Sequence, residues 1–217
     1  MVAADPDLTI PNPHLRQAIQ HICRLDSDFG RIEAEVGPLQ VRQWPPTYSA
    51  LVRTITGQQL SAHAARAIFA RLEVLMPTMP PELLLACSDA DLKQAGLSRS
   101  KIATCRALAE QISSGALPLQ DLSAWSDAAI AAALTQVKGI GPWTAEIFML
   151  FCLERLDALP ASDLAIRVAY QQLKGLGDRP SVKDLRQYCA PLKPYRGAVA
   201  HLLWHYYRRA TGRSGQP

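Results

Sequence analysis

The sequence predicts an all-α protein. Three observations carry this: β-branched alternation never persists beyond a few residues, alanine and leucine recur at helical spacing in most segments, and glycine, proline and serine break that recurrence at explicit points. Residues three and four apart share a helix face, whereas a strand needs a period of two. The helices expected are, in order, Pro13–Arg24 and Asp28–Val36 in an acidic N-terminal stretch; Tyr48–Thr56, stopped at Gly57; and Ala62–Leu75, capped by Ser61. Pro77 and Pro80 interrupt before Pro81–Ala86, and Asp89–Ala95 stops at Gly96. Ser100–Ser113 is followed by Gly115 and Pro118, and Ser126 caps Asp127–Val137. Pro142–Leu156 opens on a proline, Leu164–Lys174 is closed by Gly175 and Gly177, and Val182–Ala190 and Tyr195–Arg209 complete the set.

At 217 residues and 48% hydrophobic content, the chain has ample material for an ordinary core in one domain or two joined lobes. The longest uncharged apolar runs, such as Ile147–Leu153, fall far short of the roughly 20 residues a membrane span needs. The opening MVAADPDLTIPNP places acids and prolines where a secretory signal has basic and then apolar residues, so a cytoplasmic protein is expected, nucleoid-associated if bacterial. Cys23, Cys87, Cys105, Cys152 and Cys189 form no CxxC pair and read as structural thiols. The scattered histidines offer no zinc-ligand spacing, so no transition-metal site is expected.

Charge is uneven along the chain. Residues 1–45 carry four basic and six acidic side chains, residues 46–157 nine and ten, and residues 158–217 ten and three, so the whole excess of +4 sits at the C-terminal end. A basic segment favours a polyanion such as nucleic acid, although it is also often only a solvated face.

The most specific stretch is Leu134–Ala145, LTQVKGIGPWTA. A helix ending at Val137 meets Lys138, then Gly139-Ile140-Gly141, then Pro142 at a first helical position, where its missing N–H is harmless. Two glycines around one apolar residue let the backbone reverse sharply and approach another molecule, and the next helix presents unpaired N–H groups at its positive end. Such a turn binds phosphate, and Thr144 could add a hydroxyl. A plain αα-turn, its glycines acting as cap and spacer and Ile140 plugging the core, fits the same residues.

VKGIGPWTAEIFML, followed by LPASDLAIRVA, resembles the helix-hairpin-helix DNA glycosylase superfamily, whose members carry an aspartate near twenty residues beyond the hairpin; here Asp163 lies 20 after Trp143. The similarity extends to TITGQQLSAHAARAIFARL, GLSRSKI and KPYRGAVAHLLWHY. It implies a two-lobed all-α fold with the active site in the cleft between lobes: one lobe over 46–157, including the helix-hairpin-helix 127–156, the other over 1–45 plus 158–217, with no N-terminal β domain. Relatives with an iron–sulfur cluster use four closely spaced C-terminal cysteines; with Cys189 alone there, no cluster is implied. Relatives that cut the backbone place a lysine nucleophile where this chain has Trp143, which implies a monofunctional enzyme using water. Trp143, the GQQLS loop and the Trp204 region are similar to the 3-methyladenine DNA glycosylase II group, which removes alkylated bases.

The resemblance then distributes roles. A base must leave the stack before its glycosidic bond can be reached. Asp163 is expected to stabilise the developing oxocarbenium and direct water, although Ser-Asp after a proline is also an ordinary helix N-cap. Asp157 is the rival carboxylate. Trp204 lies about 150° from the centre of a stripe formed by Val199, Leu202, Leu203 and Tyr206, which suits stacking on an everted base or packing on a second helical layer. With Trp143 it would attract cationic alkylated purines, while Ile147 and His205 occupy positions where relatives often have tyrosine. Gln59 is the expected wedge into the gap, with Gln58 and Leu60 beside it; Gln58 could instead hydrogen-bond the loop, and Leu60 could enter the core. Lys138 is expected to face phosphate. The carbonyls of Thr135, Val137 and Gly139 are the matching positions for a monovalent cation, Na+ or K+, and no cofactor is otherwise required.

The expected activity is hydrolytic excision of 3-methyladenine- and 7-methylguanine-type bases from double-stranded DNA by a monomer without membrane partners. The alternatives are a noncatalytic DNA-binding module and a glycosylase for oxidised or mismatched bases.

Overall fold

The computed structural model describes residues 8–211, with side chains through Arg208. Its helices are α1 (Pro13–Leu25), α2 (Ser27–Gly30), α3 (Ile32–Val36), α4 (Tyr48–Gly57), α5 (Ala62–Leu75), α6 (Pro81–Ala86), α7 (Asp89–Ala95), α8 (Arg99–Ser113), α9 (Asp127–Gln136), α10 (Pro142–Phe151), α11 (Leu164–Leu173), α12 (Val182–Tyr188) and α13 (Arg196–Thr211). Short 3-10 turns cover Leu119–Ala124 and Ala190–Leu192. The chain divides into two compact units, one joining the segment up to Trp44 to the segment from Glu154 onward, the other formed by Pro45–Leu153.

In the first unit, α1 begins where the Asn12 side chain accepts the Leu15 N–H at 2.8 Å, and it buries Leu15, Ala18, Ile19 and Ile22 on one face. α13 packs against α1, α3 and α11. Every residue from Ala198 to His205 is buried, which corrects the expectation of a single apolar stripe: over this stretch the helix is enclosed on all sides, and His201, Trp204 and His205 lie inside with the aliphatic residues. A two-stranded ribbon, Leu8–Thr9 (β1) antiparallel to Val41–Arg42 (β2), was not expected; two residues are too few to show alternation.

Part of the basic excess of residues 158–217 is internal to the fold. Lys174 pairs with Asp26 and Asp28 at 2.5 and 2.8 Å, Arg196 with Asp157 at 2.7 Å, and Arg167 donates to the Pro180 carbonyl at 2.8 Å. Arg179, Lys183 and Lys193 are exposed.

In the second unit, α4 packs against α5, α8 and α10. α10 buries Ile147, Phe148 and Phe151 completely, each worth about 1.5–3 kcal/mol relative to exposure. The Tyr48 hydroxyl donates to the Cys105 carbonyl at 2.9 Å, joining α4 to α8.

Three helical expectations need correction. Asp28–Val36 is two helices meeting at Gly30 and Arg31, and the Asp26 side chain caps the first of them. Pro142–Leu156 stops at Phe151, because both Cys152 and Leu153 turn their N–H groups back to Phe148 and Glu154 takes a left-handed φ of 54°. Val182–Ala190 ends at Tyr188 and passes into a 3-10 turn. All five cysteines are free; burial pushes the Cys105 and Cys189 thiols up to about 12 and raises Cys152 as well, so none of these three is a thiolate near neutrality.

Candidate active site

The hairpin between α9 and α10 gives its two glycines different tasks. Gly139 has φ +94°, and a Cβ there would lie 2.0 Å from the Thr104 hydroxyl oxygen, so both conformation and space require glycine. Gly141 is an extended N-cap at φ −99°, ψ 177°, and a Cβ there would meet nothing within 4 Å. No intramolecular contact therefore demands glycine at 141. Ile140 is buried and its N–H closes the turn onto the Val137 carbonyl at 3.0 Å. With no side-chain cap and Pro142 at its first position, α10 directs first-turn amides outward from a positive helix end, and Lys138 is exposed nearby in sequence.

The Thr144 hydroxyl, expected at a phosphate, is buried and accepts the Gln58 amide at 2.9 Å; the same amide reaches the Gly139 carbonyl at 3.1 Å. Gln58 thus ties the GQQLS loop to the hairpin. Gln59 is exposed at φ +57°, a left-handed conformation that costs a non-glycine residue about 1–2 kcal/mol, and Leu60 is 42% exposed rather than in the core. The four main-chain oxygens that precede it, those of residues 55–58, are all engaged. Ile55 accepts from Gln58 N–H, Gly57 from Leu60 N–H, and Thr56 and Gln58 from the Lys101 ammonium at 2.8 and 2.9 Å. Burial pushes the Lys101 amine below its ordinary range.

Around the same hairpin, the Val137 and Gly139 carbonyls each accept one hydrogen bond and retain a second lone pair, while the exposed Thr135 turns its hydroxyl back to Ala131. Among the described residues no group of three His, Cys, Asp or Glu side chains could hold a metal ion.

In the other unit, Asp163 is the N-cap of α11 and only 9% exposed. Its Oδ1 accepts the Ile166 N–H at 3.1 Å and the Trp204 indole N–H at 3.2 Å. Two N–H donors and a ten-residue helix dipole all face this carboxylate, so negative charge is well accommodated there. The sequence-level choice between cap and functional acid is not exclusive: one oxygen serves the cap. Asp157, the rival, is bound through both oxygens to the Arg196 guanidinium at 2.8 and 2.7 Å, and its carboxyl is held below the ordinary range although burial opposes this.

Trp204 has no exposed surface; beyond its bond to Asp163, its ring meets His201 edge-on at 6.3 Å. Burial lowers the His201 pKa to about 4, so this ring is neutral near pH 7. Below the unfolded value near 6.5 the unfolded chain takes a proton that the folded chain refuses. The stability this residue supports is thus intact above 6.5 and lost as pH falls towards 4, by on the order of 3 kcal/mol. Urea midpoints at pH 7.5 and 4.5 should therefore separate further for the native chain than for His201→Gln; equal separations would contradict the assignment.

His205 accepts an Arg208 N–H on Nδ1 at 2.9 Å; the proton is then on Nε2, which donates to the Gly37 carbonyl at 2.8 Å. Its ring is buried and occupied in holding α13 to the turn after α3. Ile147 is buried in α10, and Trp143 is half-buried in the first turn of that helix. Sequence reasoning missed Lys101 and Thr104. Both lie in or beside GLSRSKI, but their partners are a main-chain carbonyl pair and a glycine surface, neither of which has a side-chain signature.

An uncapped glycine hairpin thus stands on one predominantly helical unit and a buried helix-capping carboxylate on the other, the combination of a helix-hairpin-helix protein with an acidic site. The chain belongs to the HhH-GPD superfamily of base excision DNA repair proteins, whose family profile matches residues 52–194. It is 33% identical over 199 residues to DNA-3-methyladenine glycosylase 1 of Schizosaccharomyces pombe, covering 88% of this chain and 86% of that one. Its fold matches the solved structure of an S. pombe 3-methyladenine DNA glycosylase in complex with abasic DNA (TM-score 0.81, 30% identity, 88% and 95% of the two chains). It also matches a DNA-3-methyladenine glycosidase from Bacillus halodurans (TM-score 0.72, 32% identity, 94% and 93%).

Proposed function

We propose that this protein is a monofunctional DNA glycosylase that hydrolyses the N-glycosidic bond of alkylated bases in double-stranded DNA during base excision repair. The observation that carries the reading is Asp163: a buried carboxylate at a helix N-terminus, held by two N–H donors, at the family's acidic position. A fixed anion stabilises positive charge developing on the sugar without reorganising as the bond breaks. Cationic bases such as 3-methyladenine and 7-methylguanine leave as neutral molecules, so no general acid is required. The hairpin supports the DNA-binding half of the reading. Its outward amides suit one backbone phosphate, and Gly141 lets that phosphate approach the main chain, with Lys138 adding charge.

Gln59, flanked by Leu60, is the wedge that occupies the vacated position. Trp143, with Ile147 behind it, contributes to the base pocket, whereas Trp204 acts through its hold on Asp163 and His205 supports α13. Trp143 cannot form a Schiff base, which supports hydrolysis over strand cleavage. Na+ or K+ at the Thr135, Val137 and Gly139 carbonyls would steady the hairpin, since hard oxygen donors suit such ions. The enzyme acts as a monomer in the cytoplasm; no helix among the described residues is long and apolar enough to cross a membrane.

The test is a panel of duplexes bearing 7-methylguanine, 8-oxoguanine or a mismatched normal base, each run with and without borohydride. Release of 7-methylguanine with no trapped covalent adduct is expected. Preferential release of 8-oxoguanine or of the mismatched base, or a borohydride-trapped adduct, contradicts it.

A further inference from the structure

The GQQLS loop holds an exposed polar side chain in a left-handed conformation, so something must fix it. Turn hydrogen bonds occupy the carbonyls of Ile55 and Gly57, but those of Thr56 and Gln58 have no main-chain donor; the Lys101 ammonium, arriving from α8, serves both. A cation at the last turn of α4 also matches the negative end of that helix. These two oxygens bracket Gly57 and stand immediately before Gln59, so the ammonium sets the direction in which the chain leaves the helix. From the other side, the Gln58 amide fastens the same loop to Gly139 and Thr144 of the hairpin.

We propose that Lys101 is a positioning residue for DNA opening: by clamping the Thr56 and Gln58 carbonyls it holds Gln59 projecting outward, in fixed register with the phosphate-binding hairpin. The proposal rests on the glycosylase reading. A loop fixed before binding fills the gap left by an everted nucleotide without being ordered at that moment, so the clamp matters most where a stacked duplex must be opened. Lys101 touches no reacting atom.

The experiment compares Lys101→Met with the native chain on 7-methylguanine placed either in a paired duplex or in an unpaired bubble, where little stacking must be broken. Single-turnover release from the duplex is expected to fall about tenfold more than release from the bubble. Because Lys101 acts through Gln59, the double variant Lys101→Met/Gln59→Ala should be little slower on the duplex than Gln59→Ala alone, and Lys101→Arg should restore most of the duplex rate. Equal slowing on both substrates, or fully additive losses in the double variant, would overturn the proposal. Should Lys101→Met not fold, Lys101→Gln, with an amide that can still reach one carbonyl, is read by the same duplex-to-bubble ratio. If the native chain releases base from neither substrate, the glycosylase reading itself fails, and that outcome is distinct from a failure of the clamp.

Discussion

Asp163→Asn is expected to slow base release by about 10²–10³-fold while leaving the fold in place. The amide keeps an oxygen where Oδ1 accepts the Ile166 and Trp204 N–H groups, and asparagine caps helices as well as aspartate does, so the structural role survives. What disappears is the negative charge proposed to stabilise the developing oxocarbenium. Single-turnover release at matched folded fraction, together with a thermal melt, separates the two roles. A variant that melts like the native chain and releases base at the native rate would reduce Asp163 to a cap.

Gly139→Ala is expected to destabilise the second unit by roughly 2–5 kcal/mol, combining a left-handed φ with a Cβ driven into the Thr104 hydroxyl oxygen at 2.0 Å. The paired substitution makes this informative. Gly141→Ala meets no protein atom within 4 Å at an ordinary φ, so its stability should change by no more than about 0.5 kcal/mol. Its affinity for duplex DNA should nevertheless fall roughly tenfold or more, as a charge-assisted contact to phosphate is pushed out of reach. Urea titration and fluorescence anisotropy check both variants. If Gly141→Ala binds DNA as tightly as the native chain, the hairpin is not the phosphate grip.

Much of this was legible in the sequence because the signals are local. Ser61, Ser126 and Pro142 stand at helix starts where the spacing puts them, and Gly139-Ile140-Gly141 announces its turn through the glycine that φ +94° requires. Asp163 could be read both as cap and as functional acid, and the cap is present. What stayed hidden depends on partners distant in sequence. Trp204 lies 41 residues from the carboxylate it touches, Thr104 lies 35 from Gly139, and the acceptors of Lys101 are main-chain atoms that any residue type would supply. The enclosed nature of α13 was illegible for another reason. Its histidines and tryptophan mimic a polar face, and only the packing of α1, α3 and α11 around it makes them interior.

Asp163, ionised at the α11 N-terminus, is proposed to drive the release of damaged bases as free molecules. Incubation with randomly methylated DNA, followed by chromatography of the soluble fraction, tests it most directly. Free 3-methyladenine and 7-methylguanine are expected, with the strands uncut until alkali is added. Tight binding of the same DNA with no free base after hours would contradict it.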